Sequence, residues 1–166
     1  MHSDPHLHYL SATAIIHKHG KFLIIKRSPH KKVFPNKWTV PGGKLDRNDY
    51  LNLPKTTPSA WYGAVENALK REVKEEVNLE ISNIRFLIDM ILIGTNKMPT
   101  IVLSFYATYK SGQTKLDKDA VEYAWVTTKQ AASYDFIEGI YEEIVMADKI
   151  IKGTNPSRVK FKPRKY

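Results

Sequence analysis

Three glutamates fall within the run Arg71-Glu72-Val73-Lys74-Glu75-Glu76, and their spacing gives them chemistry. Residues three and four apart share a helix face, so Glu72 can converge with both Glu75 and Glu76. Like charges placed there repel by roughly a few tenths of a kcal/mol per pair, a cost that a bound cation reverses. Direction adds a second argument. At roughly 100° per residue, Glu72 and Glu76 lie about 60° and 20° from Leu69, in the middle of an apolar stripe, while Asn67, Lys70 and Lys74 lie opposite. Two carboxylates therefore border the core, where they need hydrogen-bond donors or a metal. The alternative is a solvated acidic face with Lys70 and Lys74 making surface pairs, and the angular placement counts against it. Arg71 is expected to be structural, tying a carboxylate or the preceding loop in place by bidentate hydrogen bonds.

The element that carries these residues is a helix over 60–77, with Val65, Leu69, Val73 and Val77 as its buried stripe and Asn78 as its left-handed stop. Before it, Tyr9 to His17 and Phe22 to Arg27 read as a hairpin turning at His19-Gly20-Lys21. An irregular basic loop follows, then a short strand Trp38-Thr39-Val40 that Pro41-Gly42-Gly43 breaks. Leu45 to Ser59 has no periodicity and reads as a long loop, a length usually tied to function or disorder. Ile84 to Ile93 and Ile101 to Tyr109 read as strands joined through Gly94-Thr95-Asn96, with Val121 to Val126 as another. A short helix begins near Thr127 or Thr128, and a last helix runs from about Phe136 to Ile151. Hairpins flanking helices predict an α/β fold, an α/β/α sandwich with a mixed, partly antiparallel sheet rather than a doubly wound parallel one.

Composition narrows the function classes. The 166 residues suit one domain. We expect a flexible segment over 1–8, the domain over 9–152 and a solvated basic tail over 153–166. With 42% hydrophobic and 26% charged residues the chain should fold as a soluble globular protein. No apolar run approaches bilayer length and no signal-peptide pattern opens the sequence, so no membrane partner is expected and the expected location is cytoplasmic. The absence of cysteine excludes disulfides, thiolate zinc sites and cysteine nucleophiles, leaving oxygen-ligand metals and water-based chemistry. A net charge of +9 fits an anionic partner, but no nucleic-acid motif accompanies it, so nucleic acid is not the expected one. A homodimer is compatible with this composition. His2, His6 and His8 resemble a transition-metal cluster and are read as an incidental feature of a flexible terminus.

The carboxylate run resembles the Nudix box, G-x5-E-x7-R-E-U-x-E-E-x-G-U with U a bulky apolar residue. Arg71, Glu72, Val73, Glu75, Glu76 and Leu79 match its second half, and the resemblance extends over roughly residues 9–152 through the first hairpin and Trp38 to Leu45. The first half departs. Gly43 and Arg71 stand 28 positions apart where the box has 14, so about 14 residues are inserted. The earlier glutamate would fall at Gly63, and Asp46, Asp49 or Glu66 is left to replace it. Asn78 stands in place of the terminal glycine.

The resemblance implies that Gly43 offers a carbonyl and that Glu72, Glu75 and Glu76 bind Mg²⁺ or Mn²⁺, with Glu75 or Glu72 as a catalytic carboxylate. It implies a further acid from a later strand or loop, for which Glu122 is the candidate, weighed equally against an ordinary strand-edge glutamate. Arg27 and Lys44 are candidate phosphate contacts, with surface cations as the alternative. Trp38 is a candidate for stacking a nucleobase, as are Phe34 and Phe136, with core packing the competing role. The implied reaction is metal-dependent hydrolysis of a nucleoside diphosphate linked to another moiety, the substrate being a nucleotide-type diphosphate and the inserted loop its expected specificity element. A non-catalytic nucleotide-sensing or nucleic-acid-binding module on the same scaffold is the alternative, and it would be expected to lack the three carboxylates. A diphosphate isomerase is a weaker third reading, since a nearby cysteine would be expected.

Overall fold

A two-residue stretch of left-handed backbone makes the first reversal of the chain. Strands β1 (Tyr9–Lys18) and β2 (Lys21–Arg27) meet at His19 and Gly20, whose φ values are 49° and 72°. Two positive φ values are what a two-residue hairpin needs for its twist to match the strands. In the computed structural model, residues 4–94 and 97–165 are described; His2, the Thr95-Asn96 turn signal and Tyr166 lie outside the described residues.

The remaining strands are β3 (Trp38–Thr39), β4 (Gly42–Lys44), β5 (Glu80–Ile93), β6 (Pro99–Ser111) and β7 (Ala120–Val126). Their order is β3-β2-β1-β6-β5, with β4 against β1 and β7 against β2. Only β1 and β6 run parallel, so the sheet is mixed and mainly antiparallel. The pairing of β1 changes along its length: His17 and Lys18 face β2, whereas Ser11 to Thr13 face β4. That exchange inserts the glycine strand into the sheet.

Helix α2 (Ala64–Val77) covers one face and α4 (Ile140–Ile151) the other, after the single turns α1 (Asn48–Leu51) and α3 (Thr128–Ala131). Strand alternation sorts the core between them. Ala12, Ala14, Ile16, Leu23 and Ile25 pack with Leu69, Val73 and Val77 of α2. Ile15, Phe22, Ile24 and Val126 pack with Ile140, Ile144 and Ala147 of α4. This is the α/β/α sandwich expected from the pattern. Among the described residues no helix is long and apolar enough to cross a membrane.

Helix boundaries moved where backbone geometry overrode periodicity. Helix α2 begins at Ala64 rather than near Ala60, because Gly63 is left-handed at φ 75°, and ends at Asn78 at φ 57°. Helix α4 begins at Ile140 behind Gly139, at φ 91°, leaving Phe136 to bridge Trp38 in extended form. Apolar spacing continues across both starts, so it cannot locate them. The loop expected over 45–59 contains α1, and Trp61, just beyond it, donates to the Leu53 carbonyl at 2.9 Å and packs on Tyr50. The basic tail is exposed along most of its described length and is held at two points: Val159 is buried, and Arg164 pairs with Glu142 of α4 at 2.8 Å.

Candidate active site

The site is built where β4 passes under α2. Gly42 lies so close to β1 that a Cβ would sit 2.3 Å from the Ala12 carbonyl oxygen. Its amide therefore reaches the helix, donating to Glu76 Oε2 at 2.9 Å. At Gly43 a Cβ would fall 2.2 Å from Glu72 Cδ, so the missing side chain is the space that this carboxylate occupies. Glu72 and Glu76 thus face the glycine strand side by side, as their angular position on the helix predicts.

Burial dominates their electrostatics. It pushes the Glu76 carboxyl up to about 7, with Glu72 and Asp117 adding repulsion against the opposing Gly42 amide and Arg27. Burial also raises Glu72, against the pull of Arg71. A carboxylate desolvated beside another is stabilised by a cation more than by water. The donors are all oxygen, the set that suits a hard divalent ion. Among the described residues, no three ligating side chains converge into a preformed cluster.

Glu75 stands apart from the other two. Its side chain is 59% exposed and accepts from Arg71 Nη1 at 2.9 Å. The same guanidinium contacts Glu72 at 2.9 Å and grips Asp49 with two nitrogens, at 2.5 and 3.1 Å. Asp49 also accepts from the Asp46 amide at 2.7 Å, and its side chain is only 3% exposed. The hydrogen bond from Arg71 holds the Asp49 carboxyl below its ordinary range. Of the three acids left open as replacements for the absent glutamate, Asp49 is the one that reaches Arg71; Glu66 pairs with Lys70 on the outer face at 2.7 Å. The insertion therefore braces the carboxylate helix, and its residues 45–62 do not line the cleft described below. Asp49→Asn is expected to lower stability by about 1–2 kcal/mol at neutral pH, with a smaller loss as pH falls toward the carboxylate range. Chemical denaturation at pH 7 and pH 4 measures both.

A cleft of about 680 Å³ runs from Glu76 and the glycine strand across the α4 face of the sheet. Ser11, Thr13, Met90, Leu92 and Val102 form its floor, with Ile137 and Ile140 at the α4 end. Its rim is basic: Arg27, His30, Lys31, Lys32 and Lys44 all line it. Arg27 donates through Nε and Nη2 to the Val33 carbonyl, at 3.1 and 2.9 Å, which fixes the 28–37 loop as one wall. Lys44 lies over the Tyr9 ring at 4.2 Å.

Two expected site residues are not brought there. Glu122 pairs with Lys26 at 2.8 Å on the sheet face opposite the carboxylate helix, and it is not among the residues that line the cleft. The acids near Glu76 come instead from the loop before β7. Asp117 donates its amide to the Glu76 carbonyl at 3.1 Å, and Asp119 lines the cleft while accepting from Lys31 at 2.7 Å. The signal in the sequence was the acid-rich Leu116-Asp117-Lys118-Asp119 stretch, which ends three residues before Glu122. Trp38 is the second: it is a core residue, set edge-on to Tyr134 at 4.8 Å, and Phe136 joins the same cluster. Phe34, left-handed at φ 51°, is the aromatic of the three that lines the cleft. Trp38→Ala should cost about 3–5 kcal/mol by calorimetric unfolding, with the loss appearing in Tm rather than in KM.

Comparison with known proteins follows this geometry. The NUDIX domain family matches residues 8–145. The nucleoside triphosphatase NudI of Escherichia coli is 25% identical over 132 residues, covering 73% of this chain and 83% of that protein. Among solved structures, the MutT protein from Methanosarcina mazei Go1 superposes with a TM-score of 0.65 at 19% identity, over 92% of this chain and all of that one. The NUDIX domain of Shewanella oneidensis NrtR, complexed with ADP ribose, gives 0.66 at 16% identity, over 90% of this chain and 94% of that one. With the family matched across most of the chain and its carboxylate helix seated on the glycine strand, this protein belongs to the Nudix hydrolase family, a phosphoanhydride hydrolase by class.

Proposed function

We propose that the chain hydrolyses a nucleoside diphosphate linked to another moiety, with Mg²⁺ or Mn²⁺ held by Glu72, Glu76 and the Gly43 carbonyl. The observation that carries this reading is the pair Glu72 and Glu76, partly desolvated against the glycine strand, Glu72 in the space of the missing Gly43 side chain and Glu76 on the Gly42 amide. A bound divalent ion supplies charge neutralisation of the diphosphate and a more acidic water. The chain's own groups do the rest. Arg27, Lys31, Lys32 and Lys44 bring cationic charge to the cleft rim, where it matches an anionic chain. Arg71 holds Glu72 and Glu75 in register, and Asp49 holds Arg71. The attacking water loses its proton to a carboxylate as its oxygen bonds to phosphorus and the P–O bond to the leaving phosphate breaks. Glu75, exposed and paired with Arg71, is assigned that proton, with Glu72 as the alternative acceptor.

Two similar proteins support the substrate class: one is a nucleoside triphosphatase, and the other was solved with ADP ribose. A panel of nucleoside triphosphates, dinucleotide polyphosphates, nucleotide sugars and ADP-ribose, each with Mg²⁺ or Mn²⁺, tests the reading. Turnover is expected on at least one of them, lost on chelation and in Glu72→Gln and Glu75→Gln. Unchanged turnover in the variants would sink the assignment, as would a panel with no hydrolysis at all.

A further inference from the structure

The cleft floor carries one polar chain that the hydrolytic site does not use. Glu143 of α4 is buried to 2% exposure, and Ser104 of β6 is 1% exposed. Burial raises the Glu143 carboxyl and the Ser104 hydroxyl lowers it, as a hydroxyl aimed at a carboxylate does, and Glu143 Oε2 has no partner among the described residues. Ser104 also lies 3.0 Å from Thr13 Oγ1, and Thr13 opens into the cleft. A carboxyl buried at this depth is costly to keep for packing alone, because an apolar residue of similar volume would avoid the desolvation.

We propose that Thr13 is a specificity residue of the cleft, its hydroxyl oriented through Ser104 by Glu143 so that it accepts a hydrogen bond from an amino group on the nucleobase. The inference rests on the nucleotide reading above and names which bases the cleft prefers. Its logic is the count of protons. Each hydroxyl has one proton to donate and lone pairs to accept with. Ser104 gives its proton to the Glu143 carboxylate and so must accept from Thr13. Thr13 has then spent its own proton inside the protein, and what it presents to the cleft is lone pairs only. Adenine and cytosine, with an amino group at the 6- or 4-position, supply a donor to them there. The oxo counterparts, hypoxanthine and uracil, present a carbonyl oxygen at the same place, and two acceptors face each other. Val102, Met90 and Leu92 on the floor are apolar; of the other serine and threonine hydroxyls lining the cleft, Ser11, Thr39 and Thr100, none is bonded to Ser104, so only Thr13 has its proton directed to that serine. Glu143 and Ser104 act as positioning residues, since neither is among the residues lining the cleft.

The test is binding rather than turnover, so it stays separate from the hydrolytic reading. Affinities of the intact protein for AMP against IMP, and for CMP against UMP, are measured by titration calorimetry without metal. A pH of 8 keeps Glu143 ionised, since burial raises it to about 7. The amino member of each pair should bind about tenfold more tightly, the worth of one hydrogen bond gained against one lost. Thr13→Val, which keeps the shape, should bring each ratio close to one. Ser104→Ala frees the Thr13 proton to turn toward either partner and should also collapse the ratio, which a purely structural serine would not do. Equal affinities in the parent overturn the proposal, as do ratios that survive both variants or the absence of binding by all four nucleotides. A preserved ratio beside a panel without hydrolysis would instead reject the reaction and leave the base preference standing.

Discussion

Glu76→Gln is expected to give a protein that is more stable than its parent in metal-free buffer at pH 8 and at least ~10²-fold slower in metal-dependent turnover. Both effects come from the same burial. The carboxyl is raised to about 7 in the folded state from an ordinary value of 4.5. Below about pH 4 it is protonated in folded and unfolded chains alike, and it costs little. Between the two values the unfolded chain releases its proton first, so stability falls as pH rises. Above about 7 the group is ionised in both states and the whole penalty stands, on the order of 2–3 kcal/mol. Glutamine has no charge to desolvate, and its side-chain oxygen can still accept from the Gly42 amide. Denaturant midpoints taken from pH 4.5 to 8 should therefore fall in the parent and fall less in the variant. Part of the slope should remain, because Glu143 is raised over the same interval. A variant no more stable than the parent at pH 8 would show that Glu76 is not a strained, desolvated anion. Added Mg²⁺ should stabilise the parent much more than the variant, since a ligand that binds the folded state shifts the equilibrium toward it.

The second large effect belongs to Gly43→Ala. A methyl group there would lie 2.2 to 2.4 Å from the Glu72 carboxylate atoms, well inside contact distance. The φ of Gly43 is not left-handed, so the substitution acts by displacing Glu72 and not through backbone strain. The expected outcome is a loss of about 10- to 10²-fold in turnover, together with weaker metal affinity and a modest fall in Tm. Kinetics at saturating and limiting Mn²⁺ separate the two contributions: a metal defect is partly rescued at high Mn²⁺. Turnover equal to the parent at low Mn²⁺ would mean that the carboxylate need not sit against the glycine strand. Gly42→Ala is a harsher change, because its Cβ would meet backbone of β1 rather than a side chain that can move.

How far the sequence reached can be judged at particular residues. Glu72 and Glu76 were placed against the core by counting turns from Leu69, and the structure seats both there. Glu75, counted in the same way, shares a helix face with Glu72 yet is drawn outward by Arg71, since angular position fixes where a side chain starts and not where its partner pulls it. Glu122 is the candidate for the further acid that the resemblance implies, weighed equally against a strand-edge glutamate, and alternation along β7 turns it away from α2 to pair with Lys26. That alternation was legible; which face α2 would cover was not.

Local rules fixed the hairpin at His19-Gly20, the left-handed stop at Asn78, the buried stripe of α2 and the mixed sandwich, because each depends on neighbours within a few positions. The carboxylate run pointed to a bound cation, and its resemblance to the Nudix box implied phosphoanhydride chemistry. Tertiary structure alone decided that Asp49, 22 positions before Arg71, is the acid of the three candidates that bonds it. It also packed Trp38 away from the cleft, brought Asp117 and Asp119 toward Glu76, and buried Glu143 beneath Thr13. These are contacts between segments far apart in the chain. Their partners are selected by which surfaces the folded sheet and helices bring within a hydrogen bond of each other, and spacing along the sequence carries no record of that distance.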